Sequence, residues 1–112
     1  MITIWHNPRC SKSRQTLALM EAKGEVSVRR YLEDVPSLDE LTEVQALLNV
    51  PVIDMMRPKE ALFKELGLSN SDDDATLFAA MAENPRLIER PIVLANGKAA
   101  LGRPPEAALD IL

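Results

Sequence analysis

Ile2-Thr3-Ile4-Trp5-His6-Asn7-Pro8-Arg9-Cys10-Ser11-Lys12-Ser13-Arg14 is the stretch on which the fold turns. Residues 2–5 are a β-prone run and Asn7-Pro8 is a turn signal. A helix is favoured from Ser11 to Lys23, with Leu17, Met20 and small neighbours as its apolar face and Gly24 as a natural stop. Val26 and Val28 then alternate with Ser27 and Arg29, as in a second strand. A helical crossover between adjacent strands favours parallel pairing, so the opening is expected to be β-α-β. Cys10 falls where strand gives way to helix, among unpaired N–H groups and at the positive end of the helix dipole. Both favour thiolate, the reactive form, and Arg9, Lys12 and Arg14 add positive charge nearby.

Downstream, Ser37 and Glu40 form a capping-box pattern, and Leu38, Leu41, Val44 and Leu48 recur at helical spacing. Pro51 interrupts them, a short helical stretch covers about Val52–Met56, and Pro58 is placed to open a helix running to Gly67. Ser71-Asp72-Asp73-Asp74 is a helix start, and Asn84-Pro85 ends that helix. Ile92-Val93-Leu94-Ala95 reads as a buried strand, Asn96-Gly97 as a hairpin turn and Ala99-Ala100-Leu101 as its return strand. Pro104 to Leu112 closes the chain as a helix, with Ala107, Ala108, Leu109 and Ile111 available for packing. The expected order is β-α-β, a helical insertion at about 37–85, then β-β-α.

A chain of 112 residues, 46% apolar and 27% charged, has the size and composition of one soluble globular domain spanning 1–112. No apolar run approaches a membrane span, no signal peptide is visible and one cysteine gives no disulfide framework, so a reducing cytoplasm is the expected compartment; for a chain of this size and polarity a monomer is the expected state. A net charge of −4 argues against nucleic-acid binding. The lone histidine, His6, cannot supply a multi-histidine centre, and no metal is expected. With a single cysteine no disulfide can form within the chain, so any redox partner of Cys10 must come from outside.

Arg57, Arg90 and Arg103 each directly precede a proline. A residue before proline is pushed towards extended geometry, which places each arginine at a boundary between elements. Guanidinium groups suit bidentate recognition of tetrahedral oxyanions, and three converging on Cys10 would make an anion pocket that holds the thiol ionised. Plainer readings stand beside this one: an inert buried cysteine, surface arginines at helix ends, a strand-opening Pro91, a structural His6.

His6-Asn7-Pro8-Arg9-Cys10-Ser11-Lys12-Ser13-Arg14, Met56-Arg57-Pro58-Lys59-Glu60, Glu65-Leu66-Gly67-Leu68, Arg90-Pro91-Ile92-Val93 and Gly102-Arg103-Pro104 together resemble, in order and separation, the glutaredoxin-dependent arsenate reductase family of the ArsC type. The resemblance runs the length of the chain. It implies an α/β, thioredoxin-like fold with a helical insertion, and a cis proline at Pro91 facing the thiol. It also implies Cys10 as nucleophile, Arg57, Arg90 and Arg103 as oxyanion ligands, and His6 as an active-site residue acting on Cys10 by charge or by hydrogen bonding. Ser13 and Arg14 are candidate thiolate-stabilising residues. Between Cys10 and Arg14 this chain reads Ser-Lys-Ser where the best-studied members have Gly-Thr-Ser. The implied activity is reduction of arsenate to arsenite, with glutathione as co-substrate, glutaredoxin as partner and no bound cofactor. Two rivals share features of the sequence. Cys10-Ser11-Lys12-Ser13 has the C-x-x-S form of monothiol, glutathione-linked oxidoreductases, and Spx-type regulators that contact RNA polymerase share the expected fold.

Overall fold

In the computed structural model, which describes residues 1–112, the run Ile2–Trp5 is strand β1, one of the two inner strands of a four-stranded sheet. Helix α1 (Ser11–Glu21) crosses over to β2 (Val26–Arg29), which pairs parallel to β1 from Ile2↔Val26 to Trp5↔Arg29. On the other side of β1 lies β3 (Ile92–Ala95), antiparallel, followed by β4 (Lys98–Leu101). The sheet order is β2-β1-β3-β4, and the β-α-β and β-β-α halves are those of a thioredoxin-like fold. Asn96 and Gly97 both have positive φ (55° and 71°), the geometry of a two-residue hairpin whose twist matches its strands.

The chain divides into two compact units, Met1–Asp34 with Arg90–Leu112, and Val35–Glu89. In the first, strand alternation sends Ile2, Ile4, Val93 and Ala95 into a core with Met20 of α1 and Ala108 and Ile111 of the closing segment. That segment, Pro105–Ile111, is a 3₁₀ helix rather than the α-helix expected from the sequence. Pro105, Ala108 and Ile111 are its buried residues, a spacing of three that suits three residues per turn. Helix α1 ends at Glu21, two residues before the expected Lys23, and it buries Ser13 and Thr16 along with Met20. Thr16 Oγ1 donates to the Lys12 carbonyl at 2.8 Å, which lets a hydroxyl lie on a buried face without an orphaned donor.

In the second unit, α2 (Leu38–Leu48) begins with the expected capping box: Ser37 Oγ accepts from Glu40 N at 3.1 Å and Glu40 Oε1 accepts from Ser37 N at 3.0 Å. A 3₁₀ turn covers Val52–Met55. The helix expected to open at Pro58 is instead α3 (Ala61–Glu65), only five residues long. Met56 forms an antiparallel bridge with Ile88, and Arg57 N donates to Leu87 O at 2.8 Å, so the chain is still extended as it reaches Pro58. Helix α4 (Asp74–Glu83) is capped by Asp73, which accepts from Thr76 N at 2.8 Å.

Gly102 ends β4 where no side chain fits. An added Cβ would stand 2.6 Å from Pro91 Cγ and 2.7 Å from Thr16 Oγ1, while Gly102 N donates to Pro91 O at 2.9 Å. Pro91 and Thr16 are both buried, so neither gives way easily. Gly102→Ala is therefore expected to destabilise the chain by about 1–3 kcal/mol, the cost of overpacking a closed site. Urea denaturation checks this, and an unchanged midpoint would mean that the Pro91 ring and Thr16 can separate.

Candidate active site

Cys10 is the N-cap residue of α1, with extended backbone (φ −95°, ψ 123°). Its N–H donates to Asn7 O and its carbonyl accepts from Arg14 N, both at 3.0 Å, so the loop turns tightly into the helix. The half-buried thiol makes no capping hydrogen bond of its own, but the N–H groups of Ser13 and Lys12 in the first turn act on it. Burial pushes its pKa up. That effect is outweighed by the Ser13 N–H, the Arg90 charge, the Lys12 N–H and the Arg103 charge, which together hold the thiol below its ordinary value.

The cations that act on Cys10 are remote in sequence. Arg103 Nη2 lies 3.8 Å from Cys10 Sγ, and Arg103 Nε donates to the Arg90 carbonyl at 2.9 Å. The fork of one guanidinium thus joins the thiol to the backbone just ahead of β3. The Arg90–Pro91 and Arg103–Pro104 peptides are both cis. Arg9 and Lys12, beside Cys10 in sequence, are exposed, and the part Lys12 plays is that of its backbone N–H. Arg14 turns the other way: its Nη1 donates to Pro8 O at 2.9 Å, and its charge acts on His6 rather than on Cys10.

His6 is buried, with Nδ1 at 2.7 Å from Ser13 Oγ, and Ser13 Oγ also accepts from Asn7 N at 3.0 Å. Burial, followed by the charges of Arg30 and Arg14, lowers the pKa of His6 against a smaller opposing effect of Glu21. The ring is therefore neutral at neutral pH. Its hydrogen bond goes to the serine whose N–H faces the thiol. His6, Cys10, Ser13, Arg14, Arg90, Pro91 and Arg103 all belong to the first unit. Arg57 belongs to the second, where Nη2 lies 3.1 Å from Glu60 Oε2 and Nη1 donates to Arg86 O at 3.4 Å. No three His, Cys, Asp or Glu side chains are grouped to hold a metal, and no helix is long and apolar enough to cross a membrane.

Two supporting residues escape a reading of the sequence. Thr16 and Gly102 shape the wall formed by α1, Pro91 and the end of β4, yet nothing local marks them. The only signal is that Gly102 adjoins Arg103 in one of the fragments that carry the family resemblance.

The ArsC family profile matches residues 5–111. An arsenate reductase of Neisseria meningitidis serogroup A is 52% identical over 108 residues, covering 94% of this chain and 92% of that protein. An arsenate reductase of Haemophilus influenzae is 48% identical over 114 residues, covering 99% and 98%. Among solved structures, an arsenate reductase from Vibrio cholerae matches with a TM-score of 0.95 at 54% identity, over 99% of this chain and 97% of that one.

The geometry at Cys10 has a measurable consequence. Only the thiolate alkylates, so its rate rises with pH through the thiol pKa, and a lowered pKa moves that rise to lower pH. The midpoint of iodoacetamide labelling is expected below that of a free thiol. Arg103→Ala and Arg90→Ala should each raise it, because each removes a positive charge that favours the anion. A wild-type midpoint at the free-thiol value would contradict this account.

Proposed function

The chain belongs to the ArsC family, and we propose that it is an arsenate reductase whose one thiol, Cys10, attacks arsenic and whose electrons come from glutathione and glutaredoxin. One arrangement supports this most directly: a thiol at a helix N-terminus, its sulfur 3.8 Å from a guanidinium nitrogen of Arg103 and within the field of Arg90. That is a nucleophile beside a receptor for negatively charged oxygen. Arsenate is both an oxyanion and an electrophile at its central atom.

In the proposed reaction, Arg90 and Arg103, with Arg57 as the third ligand implied by the family resemblance, hold the arsenate oxygens and stabilise charge as substitution proceeds. The Cys10 thiolate forms an S–As bond, and one arsenic oxygen leaves as water after taking up protons. Arsenic is still As(V) at that stage. A glutathione thiol then displaces a second oxygen, again lost as water, to give a second S–As bond. A glutaredoxin thiol attacks the glutathione sulfur, the bonding pair of that S–As bond stays on arsenic, and As(V) becomes As(III) as a glutaredoxin–glutathione disulfide forms. Hydrolysis of the remaining bond returns the Cys10 thiol and arsenite. His6 acts through Ser13: the neutral ring holds the serine whose N–H favours the thiolate. The same reading places the protein in the reducing cytoplasm, as a monomer with no bound cofactor.

The cysteine count supplies the sharpest test. A chain with one thiol cannot complete a two-electron reduction through an internal disulfide. With arsenate, glutathione, glutaredoxin and an NADPH-coupled recycling system, turnover is expected, and Cys10→Ser should abolish it. Without glutathione, arsenite should not accumulate catalytically. Efficient cycling on thioredoxin alone would overturn the mechanism, and absence of turnover in every mixture would overturn the substrate.

The arginines offer an independent check. Replacing Arg57, Arg90 or Arg103 by Lys keeps the charge but loses the fork, so each should lower kcat/KM for arsenate by roughly ten- to a hundredfold, the scale of a lost charge-assisted hydrogen bond. Unchanged kinetics in all three variants would sink the oxyanion site.

A further inference from the structure

Building on the reading of Arg57 as an oxyanion ligand, we propose that Glu60 is a positioning residue that fixes the Arg57 guanidinium for substrate, and that Arg86 holds Glu60 in place. Each oxygen of the Glu60 carboxylate is engaged by a different arginine: Oε2 lies 3.1 Å from Arg57 Nη2 and Oε1 lies 2.8 Å from Arg86 Nη2. Arg57 Nη1 donates in addition to the Arg86 carbonyl at 3.4 Å, so Arg57 is gripped at two nitrogens. The backbone beneath is fixed as well, with Arg57 N donating to Leu87 O at 2.8 Å and Glu60 N to Arg57 O at 3.0 Å.

Two features separate this cluster from an ordinary surface ion pair, which contributes little. The Arg57 and Glu60 side chains are only 22% and 17% exposed, so their attraction is less screened than on open surface. The charge count also matters. Glu60 alone would neutralise Arg57 and oppose an incoming anion, but Arg86 supplies a second positive charge, leaving the three side chains at a net +1. A guanidinium has five N–H donors. The two contacts to Glu60 and the Arg86 carbonyl leave Nε–H and one N–H on each Nη for a ligand. Glu60 thus orients the arginine without consuming its capacity to bind.

Two readouts test the proposal on the full chain: kcat/KM for arsenate, and the inorganic phosphate concentration that half-protects Cys10 from alkylation, which needs no turnover. Glu60→Ala is expected to worsen both by roughly three- to thirtyfold, within the range of coupling between residues in one ion-pair network. Glu60→Asp, which keeps the charge but shortens the reach, should fall between it and wild type. In an Arg57→Ala background Glu60→Ala should add nothing, and the pH midpoint of Cys10 alkylation should stay native, which a general loss of structure would not allow. Additive losses, wild-type behaviour of Glu60→Ala, or tighter phosphate binding would each overturn the positioning role while leaving Arg57 a ligand. A wild-type Arg57→Ala enzyme would instead overturn the reading beneath it.

Discussion

The Ser13 hydroxyl, fully buried in the first turn of α1, is the contact on which the placement of the thiol depends. It accepts from Asn7 N and bonds His6 Nδ1, tying the end of β1 to the start of the helix across six and seven residues. A buried hydroxyl left without partners costs on the order of 1–3 kcal/mol, so both contacts are strongly enforced once Ser13 is packed inside. With strand exit and helix start held together, Cys10 has one position to occupy, the N-cap, and its sulfur faces the Ser13 and Lys12 N–H groups. Arg14 reinforces the same turn from outside through the Pro8 carbonyl.

Electrostatics is then arranged by the fold rather than by neighbours in sequence. The protein carries net negative charge, yet the cations that act on Cys10 come from residues 90 and 103, just ahead of β3 and just beyond β4. Arg103 does two jobs at once, with Nε on the Arg90 carbonyl and Nη2 towards sulfur. Only a planar fork with separate donors can anchor itself and still reach the anion. The close approach of the strand end to α1 in turn needs Gly102, whose missing side chain leaves room for Pro91 and Thr16.

Much of this is legible in the residues. Local signals carry β1, the capping box at Ser37 and the Asn96-Gly97 hairpin because each depends on neighbours within a few positions. Pre-proline geometry places all three arginines at element boundaries. The failures share one cause. Ser13 and Thr16 read as polar and carry no mark of the core, because their satisfaction depends on His6, Asn7 and the Lys12 carbonyl. The closing helix is 3₁₀ and the Pro58 helix shrinks to five residues through packing and pairing with distant segments. Of the charges expected to act on Cys10, those of Arg90 and Arg103 do, whereas Arg9, Lys12 and Arg14 are its neighbours in sequence, and proximity in sequence says little about which way a long side chain turns.

The depth of the thiol follows from the chemistry proposed for it. Burial disfavours the thiolate, so a deeper Cys10 would need still more compensation from N–H groups and cations to stay ionised. A fully exposed one would lose the field of Arg103 and Arg90 to solvent screening. A site that relied on an internal partner thiol could close over its nucleophile after attack. This chain has none, and Ser13, three residues beyond Cys10 where a C-x-x-C pair would carry its second thiol, is instead consumed in holding the loop. In the proposed reaction the adduct on Cys10 would therefore have to remain within reach of a thiol from solution. A half-buried thiol whose pKa is lowered by backbone donors and remote arginines meets both demands.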